Sequence, residues 1–220
     1  MSAAREVTTA EVVSVNVGRP REFELKGKVF TSAIWKTPVT GRLEVRGVNI
    51  AGDDQADRAV HGGYDKAVYA YAREDYSWWS EQLGVLLEPG TFGENLTISG
   101  VEANEALVGE RWRVGDAVLE VTQPRLPCFK LGIRMGDQNF PHKFSQAARW
   151  GAYLAIVKEG DVGAGDRIEL IHSPDHHVTV GLIARTYYQD HSRARELLAA
   201  SSLPQGARRP SSKGTCTCRI

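Results

Sequence analysis

The feature that most constrains this chain is a recurring unit, a Gly-Asp turn followed by a short alternating strand. Val114-Gly115-Asp116 opens one copy, with Ala117, Leu119 and Val121 on one face and Val118, Glu120 and Thr122 on the other. Ala164-Gly165-Asp166 opens a second, running into Arg167-Ile168-Glu169-Leu170-Ile171. A period of two is the mark of a strand whose successive side chains face opposite ways. The β-branched run Val12-Val13-Ser14-Val15-Asn16-Val17, closed by Gly18, predicts a further strand. So do residues 34–37 and 43–48, separated by Pro38 and Gly41, and residues 153–157 before Gly160. Short strands punctuated in this way, with 22 glycines spread along the chain, predict a mainly β fold built as a barrel or strongly bent sheet.

Helical periodicity is confined to three places. Tyr76, Trp79 and Leu83 share a face within residues 73–83, and these aromatics read as core packing. Residues 178–188 place Val180, Ile183 and Tyr187 together, and residues 192–200 do the same for Ala194, Leu197 and Leu198. His172-Ser173-Pro174-Asp175 divides these last two helices from the strands. The expected organisation is a β domain over residues 10–171, a small helical appendage over 176–204, and a disordered tail over 205–220, where apolar periodicity stops.

Lys+Arg and Asp+Glu number 27 each, a neutral balance that disfavours a general nucleic-acid binder. No apolar run approaches the roughly 18 residues a membrane span needs. The start MSAAREVTTA lacks the apolar core of a secretory signal, so no membrane association and a cytoplasmic location are expected. Three cysteines, Cys128, Cys216 and Cys218, are too few and too lopsided for a disulfide framework. Cys216 and Cys218 are also spaced too closely for a zinc knuckle.

Four stretches could carry chemistry, of which Arg149-Trp150-Gly151-Ala152-Tyr153 reads as a loop leading into a strand. In Val60-His61-Gly62-Gly63 the paired glycines allow close backbone approach, and their amides could face an anion. Gly93-Glu94-Asn95 offers a carboxylate and an amide on a turn-rich loop. In Gln123-Pro124-Arg125-Leu126-Pro127-Cys128-Phe129-Lys130, prolines stiffen the backbone and cations flank a cysteine, conditions that favour its thiolate form. A Cys-His hydrolase using Cys128 and His61 is formally open but lacks an orienting third residue. There is no phosphate-binding Walker loop and no dinucleotide fingerprint. The residues alone describe a β-rich domain with one activated cysteine and anion-friendly loops.

In their order these stretches resemble the MOSC family, named for the C-terminal domain of molybdenum cofactor sulfurases. The resemblance runs from Asp54-Gln55-Ala56-Asp57 and His61-Gly62-Gly63 through Lys66-Ala67-Val68-Tyr69-Ala70-Tyr71, Phe92-Gly93-Glu94-Asn95-Leu96 and Val114-Gly115-Asp116 to Gln123-Pro124-Arg125-Leu126-Pro127-Cys128 and Gly165-Asp166. With a helical C-terminal appendage, the set is similar to the stand-alone bacterial subgroup associated with reduction of N-hydroxylated bases such as 6-N-hydroxylaminopurine, a detoxifying reaction. The resemblance implies a MOSC-type β-barrel binding molybdenum cofactor (molybdopterin), with Cys128 as thiolate ligand to molybdenum. Arg125, Lys130, Gly62 and Gly63 are then expected around the cofactor's phosphate, and Glu94 and Asn95 near cofactor or substrate. Cys128 and His61 are the expected catalytic residues, His61 as proton donor. The implied partners are a small N-hydroxylated substrate and a separate flavoprotein or iron–sulfur electron donor. Homodimers being the commonest oligomers, a homodimer is the default assembly. The subgroup's appendage has three helices, whereas two are legible here before Pro204. The alternative function is a non-enzymatic carrier that uses Cys128 to hold cofactor or sulfur for delivery.

Overall fold

A computed structural model describes residues 9–56, 62–200 and 203–204. Its centre is an eight-stranded sheet in the order β13-β9-β10-β11-β7-β8-β1-β4. The strands are β1 (Glu11–Val17), β4 (Thr37–Val39), β7 (Val68–Ala72), β8 (Leu96–Ser99), β9 (Arg111–Val114), β10 (Ala117–Pro124), β11 (Ala152–Lys158) and β13 (Ile168–His172). Neighbours are antiparallel except β7 and β8, a parallel pair joined through helix α1 (Arg73–Leu83). A three-stranded sheet of β5 (Leu43–Arg46), β6 (Asn49–Ile50) and β12 (Gly160–Val162) and a hairpin of β2 (Arg21–Leu25) and β3 (Lys28–Ser32) complete the strands.

The expected barrel is corrected among the described residues to a sheet whose end strands, β13 and β4, are not paired with each other. The segment leading into β13 does return to β1: Val12 N–H donates to Asp166 O at 2.9 Å and Ile168 N–H to Ala10 O at 2.9 Å. A single isolated bridge, Glu11 with Arg167, stands where a closing ladder would run. The competing pairing is β4, which holds the outer edge of β1 over Val15, Asn16 and Val17. Pro38 is tolerated there because β4 is an edge strand with no further ladder to feed. The strand expected at 34–37 therefore begins later, at Thr37, and residues 33–36 form a wall of the site.

The sheet is buried on both faces. Along β7 the alternation is literal: Val68 and Ala70 enter the aliphatic core with Val12, Leu96, Leu119, Val121 and Leu154. Tyr69 and Tyr71 enter an aromatic core with Tyr76, Trp79, Phe92, Phe140, Phe144 and Trp150. The second core is supplied by α1, as its period predicts, and by two further helices, α2 (Phe129–Met135) and α3 (Phe140–Ala147).

Helix α4 (Val180–Tyr188) begins where Thr179 caps it, its hydroxyl accepting from Leu182 N–H at 3.0 Å. Val180 joins the aliphatic core, Ala184 the aromatic one, and Leu182 and Ile183 a third cluster with Leu197, Ala200 and Leu203. The segment His191–Ala199 is a 3-10 helix rather than an α-helix. Its three-residue period aligns Ala194, Leu197 and Ala200 and turns Leu198 outward, leaving it 70% exposed. The expected tail over 205–220, with Cys216 and Cys218, lies outside the described residues. Among the described residues no helix is long and apolar enough to cross a membrane.

Candidate functional site

A cavity of about 700 Å³, counted out to its mouth, opens where three loops meet. Ser32, Ala33, Ile34 and Lys36 come from the segment after the hairpin, and Asp53, Asp54, Gln55 and Ala56 from the loop after β6. Arg125, Leu126, Cys128 and Lys130 come from the exit of β10, while Tyr69, Gly93, Asn95, Tyr153 and Lys66 complete the lining. The structure thus brings Cys128, Arg125, Lys130 and Asn95 to one cavity.

The β10 ladder ends at Pro124, which pairs with Ala152. Cys128 follows with an extended backbone (φ −130°, ψ 174°) and stands at the N-cap of α2, its carbonyl accepting from Leu131 N–H at 3.0 Å. It is 6% exposed and part of the cavity wall, shielded from bulk solvent. Arg125 is equally buried and approaches the rings of Tyr69 and Phe144, at 5.8 and 5.5 Å from their centres. Burial opposes its charge, but attraction from Tyr69, Tyr153 and Cys128 outweighs that cost and holds its pKa above the usual arginine value. A cation beside sulfur favours thiolate over thiol. Arg125 Nη1 is buried without a hydrogen-bond partner, and the residue lines the cavity.

Lys36 and Asp53, to which the sequence assigns no role, line the same cavity. Lys36 Nζ pairs with Asp53 Oδ1, both side chains almost wholly buried. Asp53 Oδ1 also accepts from Gly18 N–H at 2.8 Å, and Oδ2 from Asn95 Nδ2 at 2.9 Å. Asn95 is fixed in turn, its Oδ1 accepting from Tyr69 N–H at 3.1 Å and its own N–H donating to Tyr69 O at 2.8 Å. Burial pulls the Lys36 amine below the usual lysine range, and Asp53 opposes that pull. No local pattern marks Lys36, which sits between Trp35 and Thr37 and acquires its setting from loops distant in sequence.

The other expected residues fall elsewhere. Glu94 is fully buried and does not line the cavity: its Oε1 accepts from Tyr76 Oη at 2.5 Å, Gly90 N–H at 2.7 Å and Thr97 Oγ1 at 2.7 Å. It braces the loop that presents Asn95. Gly62 and Gly63 also stand outside the lining, and the Gly63 amide is engaged, donating to Gln55 Oε1 at 2.9 Å. A Cβ at Gly62 would overlap the Gln55 side-chain amide, and Gly63 adopts φ 88°, ψ −175°, a region open essentially to glycine alone. Turn geometry therefore accounts for this glycine pair. His61 lies outside the described residues. Among the described residues no three His, Cys, Asp or Glu side chains cluster to hold a metal. A metal on Cys128 would accordingly draw its remaining ligands from outside these side chains.

The MOSC domain model matches residues 57–169, more than half of the chain. The chain belongs to the MOSC domain family. A MOSC relative, the uncharacterized protein YflK of Bacillus subtilis (strain 168), is 36% identical over 179 residues, 81% of each chain. A protein named "Reductase" from Gibberella moniliformis is 31% identical over 74% of this chain, which spans only 29% of that longer protein. The crystal structure of YiiM from Geobacillus stearothermophilus superposes with a TM-score of 0.75 at 27% identity, covering 90% of this chain and 95% of that one. The MOSC match contains the whole exit of β10, Cys128 included.

Proposed function

We propose that this MOSC protein binds molybdenum cofactor in the cavity through Cys128 and reduces N-hydroxylated compounds with electrons from a separate protein. The observation that carries the reading is the pairing, in one cavity, of a shielded cysteine with a buried guanidinium whose Nη1 lacks an acceptor. A soft thiolate is a suitable donor to a redox metal, and a phosphate oxygen is the acceptor Arg125 lacks. Family membership and the reductase name of the fungal relative point the same way.

In this reading Cys128 is the protein's ligand to molybdenum, while Arg125 and Lys130 bind the pterin phosphate. Tyr69 and Tyr153 line the same cavity. Asn95, held by Tyr69 and Asp53, lines the cavity beside the bound molecules. When bound, the cofactor supplies two-electron chemistry at the metal.

The test is protein made in a host that synthesises the cofactor, assayed for molybdenum and for turnover of an N-hydroxylated purine with an artificial donor. Stoichiometric metal and amine product are expected, and Cys128→Ala should lose both while melting within a few degrees of the parent. Full metal retention without Cys128 refutes the ligation, and metal-loaded protein that releases cofactor to an acceptor without turnover would instead be a carrier.

A further inference from the structure

Cleaving an N–OH bond consumes protons as well as electrons, which requires an acid inside the cavity. The overall balance is R–NH–OH + 2 e⁻ + 2 H⁺ → R–NH₂ + H₂O, the electrons coming from the external donor protein. Among the described residues the lining carboxylates Asp53 and Asp54 are poor candidates, Asp54 Oδ1 already accepting from Gln55 N–H at 2.7 Å. Asp53 has both oxygens occupied as acceptors, by Gly18 and Lys36 on one and Asn95 on the other. Tyr69 Oη is committed to Trp150 O at 2.8 Å. Arg125 holds its proton too tightly to transfer it.

Lys36 differs from all of these. We propose that Lys36 is the proton donor of this site: its ammonium, lining the same cavity as Cys128 and anchored on Asp53, protonates the oxygen that departs as water. The inference rests on the reductase reading above. An ammonium carries three N–H bonds, and Asp53 Oδ1 takes one of them. Asp53 is itself immobilised by Gly18 and Asn95, which fixes the amine in place. The lysine backbone is also clamped, its N–H donating to Ile34 O at 3.0 Å and its carbonyl pressed against Gly90. The N–O bond breaks, the Lys36 N–H proton moves to the leaving oxygen, and the neutral amine is recharged from water at the cavity mouth. The second proton reaches nitrogen from solvent.

Burial favours such a role, because an amine drawn down toward neutrality transfers its proton more readily than a surface lysine. The charged groups facing it are Asp53, Asp54 and the buried Glu94, with Lys66, Arg125 and Lys130 lining the same cavity. Asp53 keeps the amine charged, so the partner sets the pH at which the donor is lost.

Lys36→Met, Lys36→Arg and Asp53→Asn are compared with the parent, each loaded with cofactor. Molybdenum content and visible absorbance should be unchanged in all of them, a readout independent of turnover. For Lys36→Met, kcat should fall by about 10²–10⁴-fold with KM nearly constant, and the decline of the parent's kcat at alkaline pH should vanish. Lys36→Arg should keep the charge but not the rate. Asp53→Asn, which deletes the counter-charge, should move the alkaline limb to lower pH, and it serves if Lys36→Met does not fold. An unaltered kcat or limb in Lys36→Met, an unmoved limb in Asp53→Asn, or loss of metal in step with activity overturns the proposal. A parent that holds metal but reduces no N-hydroxylated compound overturns the reductase reading first, and this inference with it.

Discussion

Removing one hydroxyl from the aromatic core should unsettle the site from a distance. In Tyr76→Phe the ring stays, with its edge contacts to Phe92 at 5.0 Å and Tyr71 at 5.7 Å between ring centres. Two hydrogen bonds go. The first is the 2.5 Å bond from Tyr76 Oη to Glu94 Oε1, of the kind worth about 1.5–3 kcal/mol when the acceptor is charged. The second is the 3.0 Å bond that Thr91 N–H makes to Tyr76 Oη. That amide keeps a weaker contact at 3.2 Å to Glu88 O, so its loss costs the lower end of the range, about 1 kcal/mol. The sum is about 2.5–4 kcal/mol, a large fraction of an ordinary domain's stability.

The pH dependence has a definite sign. Burial raises the Glu94 pKa above its ordinary value, opposed by the donors Tyr76, Gly90 and Thr97. A carboxyl raised in this way contributes stability that is present below its unfolded pKa and lost as pH climbs through the folded one. Deleting the Tyr76 donor raises the folded value further, so the variant goes on losing stability at pH values where the parent has stopped. Urea titrations at several pH values from 4 to 9 should show a deficit that grows with pH, and the growth should disappear in a Glu94→Gln background. A deficit below about 1 kcal/mol, or one that shrinks with rising pH, would refute the reasoning.

Gly90→Ala should destabilise by several kcal/mol in a thermal melt and perturb Lys36: its φ is 86° and a Cβ would meet Lys36 O at 2.6 Å, against backbone that cannot yield. Phe144→Ala should cost about 3–5 kcal/mol by denaturant titration and loosen Arg125, which packs over that ring at 5.5 Å. Gln55→Ala removes bonds to Val48 O at 2.8 Å, Lys66 O at 3.3 Å and Gly63 N–H at 2.9 Å, and should speed amide exchange at Gly63 with little change in global stability.

Where local sequence and tertiary setting agree, the fold is legible in the sequence. The alternation through Val12–Val17, the 117–122 strand and the aromatic stripe of α1 each report a period that the surrounding core then uses. Helices α2 and α3 escape notice for a physical reason. Gly132 breaks the apolar pattern of α2 because Asp137 O lies 2.9 Å from where a Cβ would stand, and α3 is short, opened by a proline in its first turn. The final 3-10 helix misleads in the other direction, since its apolar residues fit a 3.6-residue period on paper. In the site, Cys128 and Arg125 are announced by the rigid Pro-x-x-Pro setting around them. Glu94 and the glycine pair carry an equally strong motif but are engaged in bracing loops. A motif marks a residue without saying whether a ligand or the fold needs it.

That distinction also explains why the cavity can hold buried charge without collapsing. Ser14 Oγ donates to Asn16 Oδ1 at 2.8 Å, Asn16 Nδ2 to Thr97 Oγ1 at 3.0 Å, and Thr97 Oγ1 to Glu94 Oε1 at 2.7 Å. Glu94 then holds Gly90, whose backbone backs onto the Lys36 carbonyl, and the adjoining Asn95 holds Asp53. A half-satisfied polar network is worse than an apolar core, whereas a nearly satisfied one fixes each member through the next. The chain of bonds runs from the edge of β1 to the ion pair in the cavity wall, so Lys36 and Asp53 are positioned by the sheet even though both sit on loops. Loss of the Thr97 hydroxyl, outside the cavity lining, should therefore register at the Lys36 amine before it registers in the fold.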